Sequence, residues 1–406
     1  MMSAPLDRRR TAGLMLAVGA ATFAFLAAPA RAADDVLVGV IQPLSGPNAQ
    51  FGIGAQRGTE LAAEIINAAG GIQALGGAKI KLVAADVPTP NTAAAATQRL
   101  ISQNGVSAVV GAFVSSTTLA ASEVTERAQI PLVTFAFADQ ITGRGYAYVF
   151  QVSPKGTAFG AAQFDYATAI AKAAGEKIDK VAILYEDTAY GTAQAKGLRE
   201  AAKAAGVEVV LDEAYPLGIT DVSPLVNKLR ASGAQIAFPV SYLNDSLLII
   251  RALRQQNIDI PVIGGAAGYI IPDFKKGLGA YADGVLSVAA ASGDMIPDLA
   301  RTYKDKYGTF ITHEAIIHAA ALDAVAKAME KAKSADPQKV RDALATLDYC
   351  GGLAAGVPGG CITFDKTGLN TSSFPIMVQW RGDAPVTVYP PKAATEKPVW
   401  RGKTVE

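Results

Sequence analysis

Cysteine, histidine, tryptophan and charged residues are all scarce in this chain. Its 406 residues include two Cys, two His and two Trp, and 18% are charged, with 37 basic against 36 acidic side chains. So few Cys and His exclude a Cys/His zinc cluster, and the balanced charge lacks the basic surface of a nucleic-acid-binding protein. Beyond residue 32 no run reaches the roughly 18–20 consecutive apolar residues of a membrane span. We therefore expect no metal, no nucleic acid and no membrane insertion of the mature chain.

Sequence motifs of catalysis are also missing. The chain has no G-x-S-x-G motif, and His313 and His318 lie five residues apart, which suits neither a catalytic triad nor a zinc-binding helix. Gly52, Gly54 and Gly58 have the spacing G-x-G-x-x-x-G, which only weakly resembles a dinucleotide-binding fingerprint. We predict no catalytic residues and no cofactor.

The first 32 residues have the pattern of a signal peptide. Three arginines at 8–10 precede an apolar stretch over about 12–28, and Ala30-Arg31-Ala32 supplies an A-x-A cleavage site. We predict cleavage after Ala32 and export from the cytoplasm. An uncleaved membrane anchor is the alternative, and the arginines leave a twin-Arg export route open beside ordinary secretion.

Export determines how the two cysteines are interpreted. Cys350 and Cys361 flank the glycine-rich segment GGLAAGVPGG. In an oxidising compartment such a pair is expected to form a disulfide. Two free, inert thiols are the alternative.

The mature chain alternates strand-like and helix-like segments. A β-branched run at 36–42 is followed by a helical pattern over 58–69, and the alternation continues to a strand at 131–135. A second series runs from 161 to 263, and a third section of strands and longer helices runs from 284 to 380. Such alternation predicts parallel sheets covered on both faces. We predict two doubly wound α/β lobes, with a linker-like tail after Pro390-Pro391.

Hydroxyl side chains follow the predicted strand at 108–112. Ser115, Ser116, Thr117 and Thr118 open the next helix, at the carboxyl end of a strand, where doubly wound sheets bind their ligands. One such residue is enough to cap a helix. The free N–H groups and the dipole of the helix favour an anion such as a carboxylate. Plain helix capping is the alternative.

Four stretches resemble one family of proteins. They are VGVIQPLSGPNAQFG at 38–52, NAAGGI at 67–72, VGAFVSSTTLAAS at 110–122 and VAILYEDTAYG at 181–191. Together they resemble the periplasmic binding proteins of the leucine/isoleucine/valine-binding type, which supply ABC importers. The resemblance covers nearly the whole mature chain.

This resemblance implies two lobes that are joined by three crossing strands and close on a ligand in the cleft between them. The crossings are expected near 150–153, 287–289 and 362–364. The implied division is lobe 1 at 33–152 and 287–362, lobe 2 at 153–286 and 363–395, and a tail at 396–406.

The resemblance also assigns polar positions in the cleft. Ser115, with Ser116 and Thr117 beside it, matches the hydroxyl that holds the ligand carboxylate, and Ala136 matches a position that contributes its backbone. Ala138 stands where the family has a threonine. Ala266 stands where the family has the glutamate that pairs with an amino acid's ammonium group. Glu314 falls near a further pocket position.

Aromatic residues complete the predicted pocket. Phe51, Phe113, Tyr190 and Tyr242 match or adjoin positions that cover the ligand, with packing in the protein core as the alternative. Because the carboxylate half of an amino-acid site is present and Ala266 removes the ammonium partner, we expect an aromatic or keto carboxylate. The competing possibility is that Glu314 supplies the missing negative charge.

The sequence therefore predicts a monomeric periplasmic solute-binding protein. It would deliver a small carboxylate-bearing ligand, either like a branched-chain amino acid or an aromatic or keto acid, to the permease of an ABC transporter. The alternatives are a ligand-binding subunit of a periplasmic sensor or receptor and a periplasmic enzyme that uses Glu314 or the serines.

Overall fold

The structure is a computed structural model that describes residues 34–406. The predicted signal peptide and its cleavage site after Ala32 lie outside the described residues. Within residues 34–406, no helix is both long enough and apolar enough to cross a bilayer.

The first part of the chain forms a five-stranded parallel sheet with helices between the strands. In chain order its elements are β1 (Val36–Gln42), α1 (Ala49–Ala68), β2 (Ile80–Asp86), α2 (Pro90–Ser102), β3 (Ala108–Gly111), α3 (Ser115–Ala128), β4 (Leu132–Thr134), α4 (Gln140–Gly143) and β5 (Val149–Gln151). The strand order is β2-β1-β3-β4-β5, and Val38 pairs with Leu82 on one side and Ala108 on the other. The order reverses at β1, so a ligand crevice is expected beside the loops that follow β1 and β3.

The second part repeats the pattern around another sheet. Its elements are α5 (Gly156–Ala173), β6 (Lys180–Glu186), α6 (Ala189–Ala205), β7 (Glu208–Tyr215), α7 (Ser223–Ser232), β8 (Ile236–Val240), α8 (Leu243–Gln255), β9 (Ile263–Gly264) and α9 (Pro272–Leu278). Strands β7, β6 and β8 are parallel, in that order. A bridge from Ala237 to Val262, the residue before β9, brings this segment to the edge of the sheet.

The last part contributes to both halves of the molecule. Its elements are β10 (Leu286–Ala289), α10 (Pro297–Tyr307), α11 (His313–Ala332), α12 (Pro337–Ala345), β11 (Asp348–Cys350), β12 (Cys361–Thr363), β13 (Ile376–Arg381), β14 (Ala384–Tyr389), β15 (Val399–Trp400) and β16 (Lys403–Thr404). Strand β10 lies in a sheet of order β14-β13-β10-β9, whereas α11 packs along α1 of the first part. The predicted fold class of two α/β lobes is confirmed. The boundaries between the lobes remain a prediction.

Helix α1 begins earlier than the spacing of its apolar residues indicates. It starts at Ala49, so Gly52 and Gly54 lie inside the helix and not in a loop before it. A Cβ on Gly52 would lie 2.0 Å from the carbonyl oxygen of Pro43. Position 52 therefore requires glycine because the helix and the preceding loop are in close contact. The partial match to a phosphate-binding glycine pattern has this structural cause.

The segment after Pro390 differs from the predicted linker. Strands β15 and β16 pair as an antiparallel hairpin, and Trp400 and Val405 are buried. Gln379 of β13 accepts a hydrogen bond from the backbone N–H of Val399 at 2.8 Å and donates one to its carbonyl at 2.7 Å. The hairpin is therefore attached to β13 by the Gln379 amide, and Trp400 and Val405 bury its apolar side. The proline-rich start of the segment gives no sign of this attachment in the sequence.

The predicted disulfide between Cys350 and Cys361 is confirmed. The two residues are opposite each other in the antiparallel pair β11–β12. Their pairing brings the two Cα atoms to 4.0 Å from each other and the two sulfurs within bonding distance.

Replacing both cysteines by serine should lower the free energy of unfolding by about 2–3 kcal/mol, because the bridge closes a short loop in the unfolded chain. Urea unfolding of the oxidised protein and of the Cys350→Ser/Cys361→Ser variant measures the difference. Equal midpoints and equal slopes for the two proteins would show that the bridge does not stabilise the fold.

Candidate ligand-binding site

Aromatic rings from both lobes meet where the carboxyl ends of the two sheets face each other. Phe51 comes from α1 and Phe113 from the loop after β3, and the second lobe contributes Tyr190 at the start of α6 and Tyr242 just before α8. All four are buried. The structure therefore brings together all four of the predicted aromatic residues.

Two further rings belong to the same cluster. Phe135 and Phe137 follow β4, on either side of Ala136, and both are buried. The family resemblance predicts site positions at Ala136 and Ala138 but none at Phe135 or Phe137. The alternation F-A-F-A at the end of a strand was the available signal, since it places both rings on one side of the chain.

The six rings are in direct contact across the cleft. Phe51 stacks on Phe113 with ring centroids 4.6 Å apart and planes 4° apart, and Phe113 stacks on Phe135 at 5.2 Å. Tyr242 contacts Phe51 edge-on at 6.0 Å and Tyr190 at 5.3 Å. Because Tyr242 and Phe51 belong to opposite lobes, the lobes are closed on each other in this structure.

A small cavity of about 10 Å³ remains inside the cluster. It is lined by Phe113, Ser115, Phe135, Phe137, Tyr190, Tyr242 and Ala267. A volume of this size holds about one water molecule. A ligand larger than water would therefore fit here only if the lobes opened or the rings separated, as in hinge-type binding proteins.

Ser115 supplies the polar end of this cavity. Its Oγ accepts a hydrogen bond from the backbone N–H of Ala138 at 3.2 Å, which leaves the hydroxyl proton for an anion. Ser115 does not cap the helix, because Val114 is the N-cap residue of α3 and no side chain accepts a capping hydrogen bond there. Ser116 is half-buried and Thr117 is buried on the same first turn.

The backbone near Ala136 and Ala138 is held within lobe 1. The N–H of Ala136 donates to Thr134 Oγ1 at 3.1 Å, and the N–H of Ala138 is the one that Ser115 accepts. Both alanines are buried. Ala138 therefore orients the Ser115 hydroxyl through its backbone, although its methyl group offers the ligand no polar contact.

The second lobe presents neutral phenols and a constrained backbone. Burial raises the pKa of Tyr190 and Tyr242 well above the usual value, so both hydroxyls stay protonated. Tyr190 donates to the carbonyl of Gly265. Ala266, beside it, is held at φ 75° by a hydrogen bond from its N–H to Ser287 Oγ at 3.0 Å. This region of the backbone favours glycine, so the turn that carries Ala266 and Ala267 is strained.

Two acidic residues of lobe 2 lie near the tyrosines but serve the structure. Glu186 accepts hydrogen bonds from the N–H groups of Thr188 and Gly191, and burial raises its pKa. Asp245 accepts from Tyr215 at 2.8 Å and from the N–H of Tyr242 at 3.2 Å, and burial raises its pKa to about 7. Neither carboxyl lines the cavity.

Glu314 lies behind the cleft, in the contact between α11 and α1. A Cβ on Gly54 would lie 2.8 Å from its Oε1, and its Oε2 lies 3.5 Å from His313 Nε2. Burial raises the pKa of Glu314 to about 8, and burial together with His318 lowers the pKa of His313 to about 3. Both groups are therefore neutral near pH 7 and do not form an ion pair.

His313 is a residue of the site that sequence reasoning set aside. Its ring contacts Phe135 edge-on at 4.9 Å and also approaches Phe137 at 6.1 Å. Its Nδ1 accepts a hydrogen bond from the N–H of Ala290 at 3.3 Å, just after β10. The proton is thus on Nε2, and the ring joins the aromatic cluster to the end of β10, a strand of the sheet β14-β13-β10-β9. Only its place at the start of α11, next to Glu314, could have indicated this.

Comparison with known proteins gives one consistent family. The periplasmic binding protein family profile matches residues 35–383. The chain is 34% identical over 399 residues to Leu/Ile/Val-binding protein homolog 8 of Brucella suis. The alignment covers 95% of this chain and 97% of the relative.

Solved structures share the fold. The branched-chain amino acid transporter substrate-binding protein LivJ of Streptococcus pneumoniae, in complex with isoleucine, superposes with a TM-score of 0.77 at 26% identity over 88% of this chain and 100% of that one. A solute-binding protein of an ABC transporter from R. palustris, in complex with benzoate, gives a TM-score of 0.75 at 20% identity over 89% and 99% of the two chains.

Proposed function

This chain belongs to the periplasmic binding protein family and is a solute-binding protein of the branched-chain amino acid ABC transporter type, and from that premise we propose that its ligand is a carboxylate without an α-ammonium group. An aromatic acid or a 2-oxo acid meets this description. The chain would bind the ligand in the periplasm as a monomer and deliver it to the permease of an ABC importer.

The observation that carries the proposal is the set of groups around the cavity. The lining includes one hydroxyl, Ser115, two neutral phenols and four apolar side chains, and no carboxylate from the described residues. Ala266 is where the family resemblance expects the acid, and Glu314 is protonated near pH 7 and lies behind the cleft. A buried ammonium group without a partner costs several kcal/mol, so an amino acid is disfavoured.

The aromatic cluster supports the same ligand class. The rings of Phe51 and Phe113 are already parallel, and an aromatic ring packed against such a face gains about 0.5–1.5 kcal/mol beyond its buried area. The R. palustris protein shows that this fold is compatible with an aromatic acid such as benzoate.

Binding without chemistry is part of the proposal. Family members are solute-binding proteins, and the Ser115 hydroxyl oxygen contacts a backbone N–H and not a histidine or carboxylate. A nucleophilic serine needs an adjacent base. Closure of both lobes on one ligand gives the transporter a distinct bound state to recognise. Benzoate or phenylpyruvate recovered unchanged after prolonged incubation is the expected result, and turnover would make the protein an enzyme.

Ser115→Ala should weaken carboxylate binding by about ten- to hundredfold, because it removes a charge-assisted hydrogen bond of roughly 1.5–3 kcal/mol. Calorimetric titration of wild-type and variant with benzoate and with phenylpyruvate measures the loss. Ser102→Ala, an exposed serine on α2, is the matched control and should bind like the wild type. Unchanged affinity in Ser115→Ala would show that the carboxylate does not bind at the start of α3. Failure of both acids to bind the wild type would refute the proposed ligand class.

A further inference from the structure

A second cavity, of about 380 Å³, lies next to the aromatic cluster. Buried apolar side chains, among them Ile270, Ala289 and Val378, line its inner part, and the exposed Arg301 and Lys304 stand at its solvent side. Its volume is within the range of about 300–1,000 Å³ in which small-molecule sites occur. None of the predicted site residues lines it.

His313 is the partition between the two cavities. It lines the larger cavity, and its ring also packs on Phe113, Phe135 and Phe137, which line the small one. On the opposite wall, Ala267 lines the small cavity and Ile270, three residues later on the same turn, lines the large one. One ring and one turn therefore separate the ligand cleft from a space some forty times larger by the two quoted volumes.

The partition is held by a few bonds at its edges. His313 Nδ1 accepts one backbone hydrogen bond of 3.3 Å, and no described residue is a hydrogen-bond partner of its Nε2. Ala266 and Ala267 have φ values of 75° and 21°, both unfavourable for alanine. A ligand that displaces this ring and relaxes this turn would join the two cavities into one.

We infer that the natural ligand is an aryl carboxylate with an uncharged apolar extension opposite its carboxylate, and that the extension occupies this second cavity. The inference rests on the proposed function, since Ser115 and the aromatic cluster hold the acid and the ring. The charged side chains of the lining already have partners or face solvent: Asp294 accepts hydrogen bonds from the backbone N–H and the hydroxyl of Thr387, Arg301 is exposed and pairs with Asp298, and Lys304 is exposed. None of the three is fully buried, so an uncharged extension is favoured. Each methylene group buried there would raise affinity by about fourfold.

Calorimetry with benzoate and 4-butylbenzoate tests the inference. In the wild type, 4-butylbenzoate should bind at least about tenfold more tightly than benzoate, given about fourfold for each buried methylene. Ala300→Phe fills the cavity from α10, and it should abolish that advantage while the affinity for benzoate changes little. Ala204→Phe, at an exposed position of α6, is the control and should preserve the advantage.

A second pair of variants keeps the test independent of any one mutant's folding. Ala384→Phe fills the same cavity from β14 and should act like Ala300→Phe, whereas His313→Ala removes the partition and should increase the preference for 4-butylbenzoate. Benzoate binding with no gain for 4-butylbenzoate, or a gain that both cavity-filling variants retain, would overturn the inference and leave the proposed function standing. If neither acid binds the wild type, both fail.

Discussion

At pH 8.5 the Glu314→Gln variant should be more stable than the wild-type chain by about 3–5 kcal/mol, and at pH 4 the two should be nearly equal. Burial raises the pKa of Glu314 from 4.5 to about 8 in the folded protein. Between pH 4.5 and about pH 8 the Glu314 carboxyl has lost its proton in the unfolded chain and keeps it in the folded chain. The unfolded state thus binds fewer protons, so wild-type stability falls as pH rises through this window.

Urea unfolding of both proteins between pH 4 and pH 9 measures the gap. Glu200→Gln, at an exposed position on α6, is the control and should show no such growth with pH. If Glu314 instead formed an ion pair with His313, the glutamine would destabilise the protein near neutral pH and the sign of the difference would reverse. That result would also restore Glu314 as a possible partner for an ammonium group.

Gly58→Ala should lower the free energy of unfolding by about 3 kcal/mol or more, at or above the upper end of the usual cost of overpacking. Gly58 lies on α1 against α11, and a Cβ there would fall 2.0 Å from the carbonyl oxygen and 2.5 Å from the Cα of Ala315. These are backbone atoms next to Glu314, so they cannot rotate away. The two helices would have to separate where Phe51 and His313 are positioned.

Gly143→Ala provides the matched control for this substitution. Gly143 ends α4, and a Cβ there would meet no atom within 4 Å. Its substitution should be neutral or slightly stabilising, since it mainly restricts the unfolded chain. Equal stability of Gly58→Ala and the wild type by urea unfolding would show that α1 and α11 are not locked together at this contact.

The fold could be predicted from the sequence because its strands and helices alternate with clear apolar patterns. Runs such as residues 36–42 end in turn residues, and the cysteines are separated by a segment rich in glycine. The apolar spacing does not indicate the true start of α1, because Ala49–Phe51 follow a turn cluster and show no apolar periodicity of their own. The sequence does not indicate the hairpin β15–β16, because its buried Trp400 is isolated in a polar, proline-rich segment.

The site could be predicted in part. Ser115, Phe113, Tyr190 and Tyr242 line the small cavity, and all are recognisable from their positions next to strand ends. His313 has only a weak sequence signal, its place next to Glu314, because its contacts are with rings that are distant in sequence. The second cavity has no sequence pattern at all, since residues from α10, β13 and β14 meet there only through the fold.

Calorimetric titration with pairs of ligands that differ only at the α-carbon tests the central claim most directly. Phenylpyruvate against phenylalanine and 4-methyl-2-oxopentanoate against leucine keep the side chain and carboxylate and exchange the ammonium for a carbonyl. We predict that the oxo acid of each pair binds at least about a hundredfold more tightly, because an unpaired buried ammonium costs several kcal/mol. Submicromolar binding of leucine, isoleucine or valine, with no response to the oxo acids or to benzoate, would contradict the claim.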